Sequence, residues 1–156
     1  MSKSISEQVN GAWERLSPLP GGKRVFSKML GRMAPYTGTI GARVEELRPG
    51  YAKVTLRDRK KVRNHLNSVH AIALMNLGEV ATGLAVISGM PANTRSILAG
   101  LSMDYVKKAR GTLTAECTTP VIESSERKEY TIEGTIRDAS GDVVAKASAR
   151  WLIGPR

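Results

Sequence analysis

Three side chains in the middle of this sequence, Asn64, His70 and Glu79, have the chemistry of a hydrolytic site. Glu79 stands out most. Between Arg63 and Arg95 no other residue is formally charged, and Glu79 is flanked by Ala73-Leu74-Met75-Asn76-Leu77-Gly78 and by Val80-Ala81-Thr82-Gly83-Leu84-Ala85-Val86-Ile87. A carboxylate in apolar surroundings is penalised by desolvation, so its pKa rises and it becomes a competent general base toward water near neutral pH. The alternative is a structural acid held by hydrogen bonds or an arginine. Upstream, a helix beginning near Val69 would leave the N–H groups of Val69, His70 and Ala71 without intrahelical partners, aimed outward from its positive end. Such donors suit a developing oxyanion, and Asn64 could add an amide N–H.

Spacing limits how these groups cooperate. From His70 to Glu79 is nine residues, about 900° of helical rotation and about 13.5 Å of rise. The two side chains face opposite sides of one helix and cannot meet in one subunit. If they share a site, the helix terminus of one chain must approach Glu79 of another.

The elements that would position them follow from pattern. Residues 6–16 read as a short helix with Ser6 as N-cap, stopped by Ser17-Pro18-Leu19-Pro20-Gly21-Gly22. A second helix follows, with Val25, Met29, Leu30 and Met33 as its packing stripe. Residues 40–47 and 51–56 read as strands joined at Arg48-Pro49-Gly50. The central helix, from about Val69 to Ile87 with Ser68 or Asn67 as its cap, is apolar on nearly every face and must be buried. Four extended segments follow, 97–107, 112–119, 128–137 and 143–153, and suggest a meander. A curved antiparallel sheet around one helix satisfies this order.

Composition narrows the class. The chain has 156 residues, a net charge of +10, one cysteine and two histidines. That length suits one domain. Cys117 leaves no intrachain disulfide and, with no apolar leader-like stretch in the first residues, leans toward a cytoplasmic protein. Two histidines and one cysteine are too few for a Cys/His zinc cage, so no metal site is expected. The uncharged stretch 64–94 is long enough to raise a membrane span, but Asn76, Gly78, Glu79, Thr82 and Gly83 argue for a core helix. The positive charge favours polyanions, yet one Phe, two Trp and four Tyr offer no base-stacking platform, which disfavours nucleic acid.

Asn64-His65-Leu66-Asn67-Ser68-Val69-His70-Ala71-Ile72, with Glu79 downstream, resembles the Asn-x-x-Gly-x-x-His-Gly-Gly…(Asp/Glu) motif of hotdog-fold acyl-CoA thioesterases. The branch is the phenylacetate-pathway type with related thioesterases of undefined substrate. Tyr105 to Gly111 resembles the family's strand-ending stretch, and the likeness runs over roughly residues 36–153. It implies an α+β hotdog fold, a domain at 36–156 behind an N-terminal helical extension at 1–35, and a homodimer or a tetramer of dimers.

The resemblance also assigns roles. Glu79 corresponds to the general base or nucleophile, Asn64 to the residue placing water or thioester, and the backbone N–H of Ala71 to the oxyanion donor. His70 would shape the helix entry or touch the thioester. Asn67, Ala71 and Ile72 replace the family's usual glycines, Leu98 stands where a Ser or Thr is common, and Lys108 where a Pro is common. Arg63, Lys108 and Arg110 flank the motif and are expected to hold the phosphates of coenzyme A. Coenzyme A enters as part of the substrate, and no separate cofactor is needed. The expected function is acyl-CoA thioester hydrolysis by carboxylate-activated water at a dimer interface. The rival is a non-catalytic acyl-CoA-binding or regulatory hotdog protein.

Overall fold

The computed structural model describes residues 2–156. Its organising element is the longest helix, and the three α-helices before it are α1 (Ile5–Leu16), α2 (Gly22–Met33) and α3 (Pro35–Gly38). The long helix, α4 (Ala71–Gly89), has apolar residues on almost all sides, so it is stable only when enclosed. Six strands enclose it: β1 (Arg43–Arg48), β2 (Tyr51–Leu56), β3 (Thr94–Tyr105), β4 (Leu113–Thr118), β5 (Lys128–Arg137) and β6 (Val143–Pro155). All neighbouring pairs are antiparallel, in the order β1-β2-β4-β5-β6-β3. This is the α+β hotdog fold.

The expected four-strand meander is only partly present. β4, β5 and β6 run consecutively, but β3 crosses to the far edge and pairs with β6, while β2 takes its place beside β4. Local pattern could not reveal this, because a strand's alternation is the same whichever neighbour it pairs with.

Small residues let helix and sheet approach closely. A Cβ on Gly78 would lie 2.9 Å from the Ala147 Cβ, and one on Gly83 would lie 3.0 Å from the Trp151 ring. Trp151 buries its ring there and donates its indole N–H to Thr82 Oγ1 at 3.1 Å, while that hydroxyl donates to Gly78 O at 2.9 Å. A buried indole donor is thus satisfied inside an apolar layer.

The N-terminal helices share this core. α1 begins one residue before the expected span, capped by Ser4 rather than Ser6: Glu7 N donates to Ser4 Oγ and Ser4 N to Glu7 Oε2. Ser6 is buried and donates to Met90 O instead. In α2 the expected stripe is only half right. Met29 and Leu30 pack against the core, but Val25 is 54% and Met33 42% exposed. The true anchor is Phe26, fully buried and edge-on to Trp13 at 5.0 Å. Removing that ring leaves a cavity with nothing to fill it, so Phe26→Ala should destabilise by about 3–5 kcal/mol in chemical denaturation. A loss under about 1 kcal/mol would mean that α2 is not integral to the fold.

Candidate active site

α4 begins at Ala71, two residues later than the sequence suggested, and its cap is His70 rather than Ser68 or Asn67. The Nδ1 of His70 accepts from Ile72 N at 3.0 Å, which puts the proton of the neutral ring on Nε2, facing outward. Of the three N–H groups expected to be free, two are engaged: Val69 N donates to Ala109 O and His70 N to Val62 O, both at 2.8 Å. The Ala71 N–H remains without a partner among the described residues.

The 58–70 loop holds this terminus in place. Asn64 Oδ1 accepts from Leu66 N, Ser68 N and Ser68 Oγ, so its oxygen is spent on the turn and only its NH2 is available to a ligand. Asn67 sits at φ +54°, the left-handed region that favours glycine, and Asn is among the few residues that tolerate it. Its departure from the glycine motif therefore preserves the backbone shape. Arg63 pairs with Asp58 at 2.6 Å, and the other Asp58 oxygen accepts from Gly111 N. The Arg63 guanidinium holds the Asp58 carboxyl below its ordinary pKa. Arg110 donates to the carbonyls of Leu66 and Asn67. Two of the three cations expected to bind substrate therefore brace the loop, whereas Lys108 is exposed with no partner among the described residues.

Arg63, Asn64, His70, Ala71 and Arg110 thus gather at one end of α4. Glu79 does not join them. It lies more than two turns along, on a line with Ile72 and Met75 that forms the least enclosed strip of the helix. The Glu79 carboxylate has no hydrogen-bond or ion-pair partner among the described residues, and burial raises its pKa above 4.5. Ile72, at a position where the motif carries glycine, is 52% exposed beside the cap.

Sequence reading missed three features. Tyr105 Oη donates to Ala71 O at 2.9 Å, tying β3 to the first turn of α4. Asn76 donates to Tyr36 O while its Oδ1 is buried without a partner among the described residues. The Asp58 knot was invisible because its partners lie far apart in sequence. Cys117 is buried, which pushes its thiol up to about 12 and keeps it inert.

A family model described as a domain of unknown function, DUF4442, matches residues 22–153. The chain belongs to the DUF4442 family. A structural-genomics crystal structure is 30% identical to this DUF4442 chain at TM-score 0.82, over 98% of this chain and 100% of that one. A Pseudomonas aeruginosa protein of unknown function, described as a probable thioesterase, is 23% identical at TM-score 0.76, over 88% and 97%. A thioesterase family protein from Silicibacter pomeroyi is 16% identical at TM-score 0.70, over 83% and 96%. At such identities the last two establish the shared fold. No curated protein matches the chain.

Because burial raises the folded pKa of Glu79, the folded state keeps a proton over a pH range in which the unfolded chain has lost it. This contribution to stability is full below the unfolded value and is lost as pH rises through the folded one. Glu79→Gln should therefore melt higher than the parent at about pH 8, with the gap closing toward about pH 4. A lower melting temperature at the higher pH would reveal a stabilising partner for the carboxylate. Asn67→Gly should be close to neutral, while Asn67→Val should cost about 1–2 kcal/mol by denaturant titration. Equal stability of the two variants would show that the left-handed conformation is not maintained.

Proposed function

We propose that this protein is an acyl-CoA thioesterase working as a homodimer, alone or paired into a tetramer. The observation that carries the reading is Glu79: a half-buried carboxylate with no partner among the described residues, on the open strip of an otherwise enclosed helix. A structural acid would be expected to have a hydrogen-bond or ion-pair partner. Neighbours sharing the fold are described as thioesterases, which favours a thioester as substrate.

In the proposed reaction Glu79 takes a proton from water, and the oxygen attacks the thioester carbonyl. The Ala71 N–H of the partner subunit donates to the oxygen that becomes negative, helped by the positive end of its helix. Collapse of the tetrahedral intermediate breaks the C–S bond, releasing the carboxylic acid and, after protonation by Glu79, the coenzyme A thiol. In this reading Asn64, through its NH2, and His70, through Nε2–H, orient the thioester. The reading calls for no metal and no separate cofactor. A dimer is favoured by β3, a sheet-edge strand of 12 residues whose Ile97 is 52% exposed. Long uncovered edges of this kind invite pairing with another strand.

The test is hydrolysis of short, medium, long and aromatic acyl-CoAs by the parent and by Glu79→Gln. Loss of the base should lower kcat/KM by about 10²–10⁴-fold. In the parent, kcat/KM should rise with pH to a plateau, with its midpoint above the ordinary carboxylate value of 4.5, because the ionised form is the active one. Undiminished hydrolysis after the substitution would overturn the general-base role. Binding without hydrolysis by the parent would favour a regulatory protein.

A further inference from the structure

The geometry points to a binding site for the phosphorylated nucleotide end of a coenzyme A thioester in the groove between α2 and the β1–β2 hairpin. The inference rests on the thioesterase reading and moves recognition of the carrier away from Arg63 and Arg110, which are committed to the loop.

The groove has a volume of about 780 Å³, within the roughly 300–1,000 Å³ range of small-molecule sites. Its floor is apolar, formed by Leu30, Val44, Val54 and Val80, the last being the immediate neighbour of Glu79. Its rim is cationic. Arg24, Lys28 and Arg32 recur at four-residue spacing along one face of α2, and Arg57 faces them from the end of β2. These four side chains are exposed and have no hydrogen-bond or ion-pair partner among the described residues. Glu45, the acid on the walls, is already engaged by Arg43 at 3.3 Å and by Thr55 Oγ1 at 3.0 Å.

This arrangement works against the helix that carries it. Like charges four residues apart repel, and the segment from Gly22 to Met33 contains no acid to offset them. A multiply charged anion relieves that repulsion, and arginine forks match phosphate oxygens. The walls are also preformed. Ser27 Oγ accepts from Val44 N at 2.9 Å, pinning α2 to β1, and Arg59 donates to Ile40 O at 2.8 Å, pinning the opposite side. An apolar floor under a cationic rim suits a ligand with a flat base and several phosphates, as in adenosine 3′,5′-bisphosphate.

The experiment measures binding of adenosine 3′,5′-bisphosphate by calorimetry to the full chain and to two double variants. One is Arg24→Glu with Lys28→Glu. The other is Lys128→Glu with Lys146→Glu, which makes the same change in net charge on β5 and β6. The groove variant should weaken binding at least tenfold and the other by less than threefold. The same compound should compete with hydrolysis of an acyl-CoA but not of an acyl-N-acetylcysteamine, which lacks the nucleotide. Equal weakening by both variants would overturn the site in favour of nonspecific charge. So would competition against both substrates, or groove-dependent binding of anionic phospholipid vesicles with none of the nucleotide. If the parent hydrolyses neither thioester, the thioesterase reading falls, and the calorimetry still decides whether the groove binds the nucleotide.

Discussion

An apolar helix that must be enclosed dictates most of this structure. α4 is stable in water only because six strands and α1 cover it, and the cover fits because Gly78 and Gly83 admit Ala147 and Trp151. Enclosure leaves a strip open along Ile72, Met75 and Glu79, and the chain places its isolated acid there. The same constraint that builds the core thus produces a carboxylate that is partly desolvated yet accessible.

The second constraint is the register of the helix. Glu79 lies more than two turns, about 12 Å of rise, along α4 from the Ala71 N–H, so the two do not meet within one intact helix. The protein spends much of its polar chemistry on holding that helix terminus: His70 caps it, Tyr105 grips its first carbonyl, and Asp58 joins Arg63 to Gly111. A terminus held this rigidly, with one N–H left over, suits an electrostatic site that must not relax around the charge it binds.

Much of the fold was legible because its signals are local. The turn at Pro49-Gly50, the uniformly apolar α4 and the alternation in 128–137 each follow from residue chemistry within a few positions. The place of β3 at the sheet edge was not, since it is decided by a long-range pairing with β6. Within the candidate site, the type and isolation of Glu79 were readable, and so was its separation from His70. The fate of the cations was not. Whether an arginine is free or paired depends on which acids and carbonyls folding brings near, so Arg63 and Arg110 looked available while nothing local singled out Arg24, Lys28 and Arg32. Phe26 escaped notice for a related reason: one buried ring outweighed the longer stripe of Val25 and Met33.

The central claim is that acid and oxyanion donor come from different chains, and subunit complementation tests it most directly. Ala71 is the first residue of α4, where proline is tolerated, so Ala71→Pro removes the N–H while the extended backbone of His70 already suits a following proline. Glu79→Gln and Ala71→Pro homodimers should each be inactive toward acyl-CoA. Mixed dimers of the two retain one intact site if it is built across the interface, and hydrolysis should return on mixing. Mixed dimers that form but stay inactive would contradict the account.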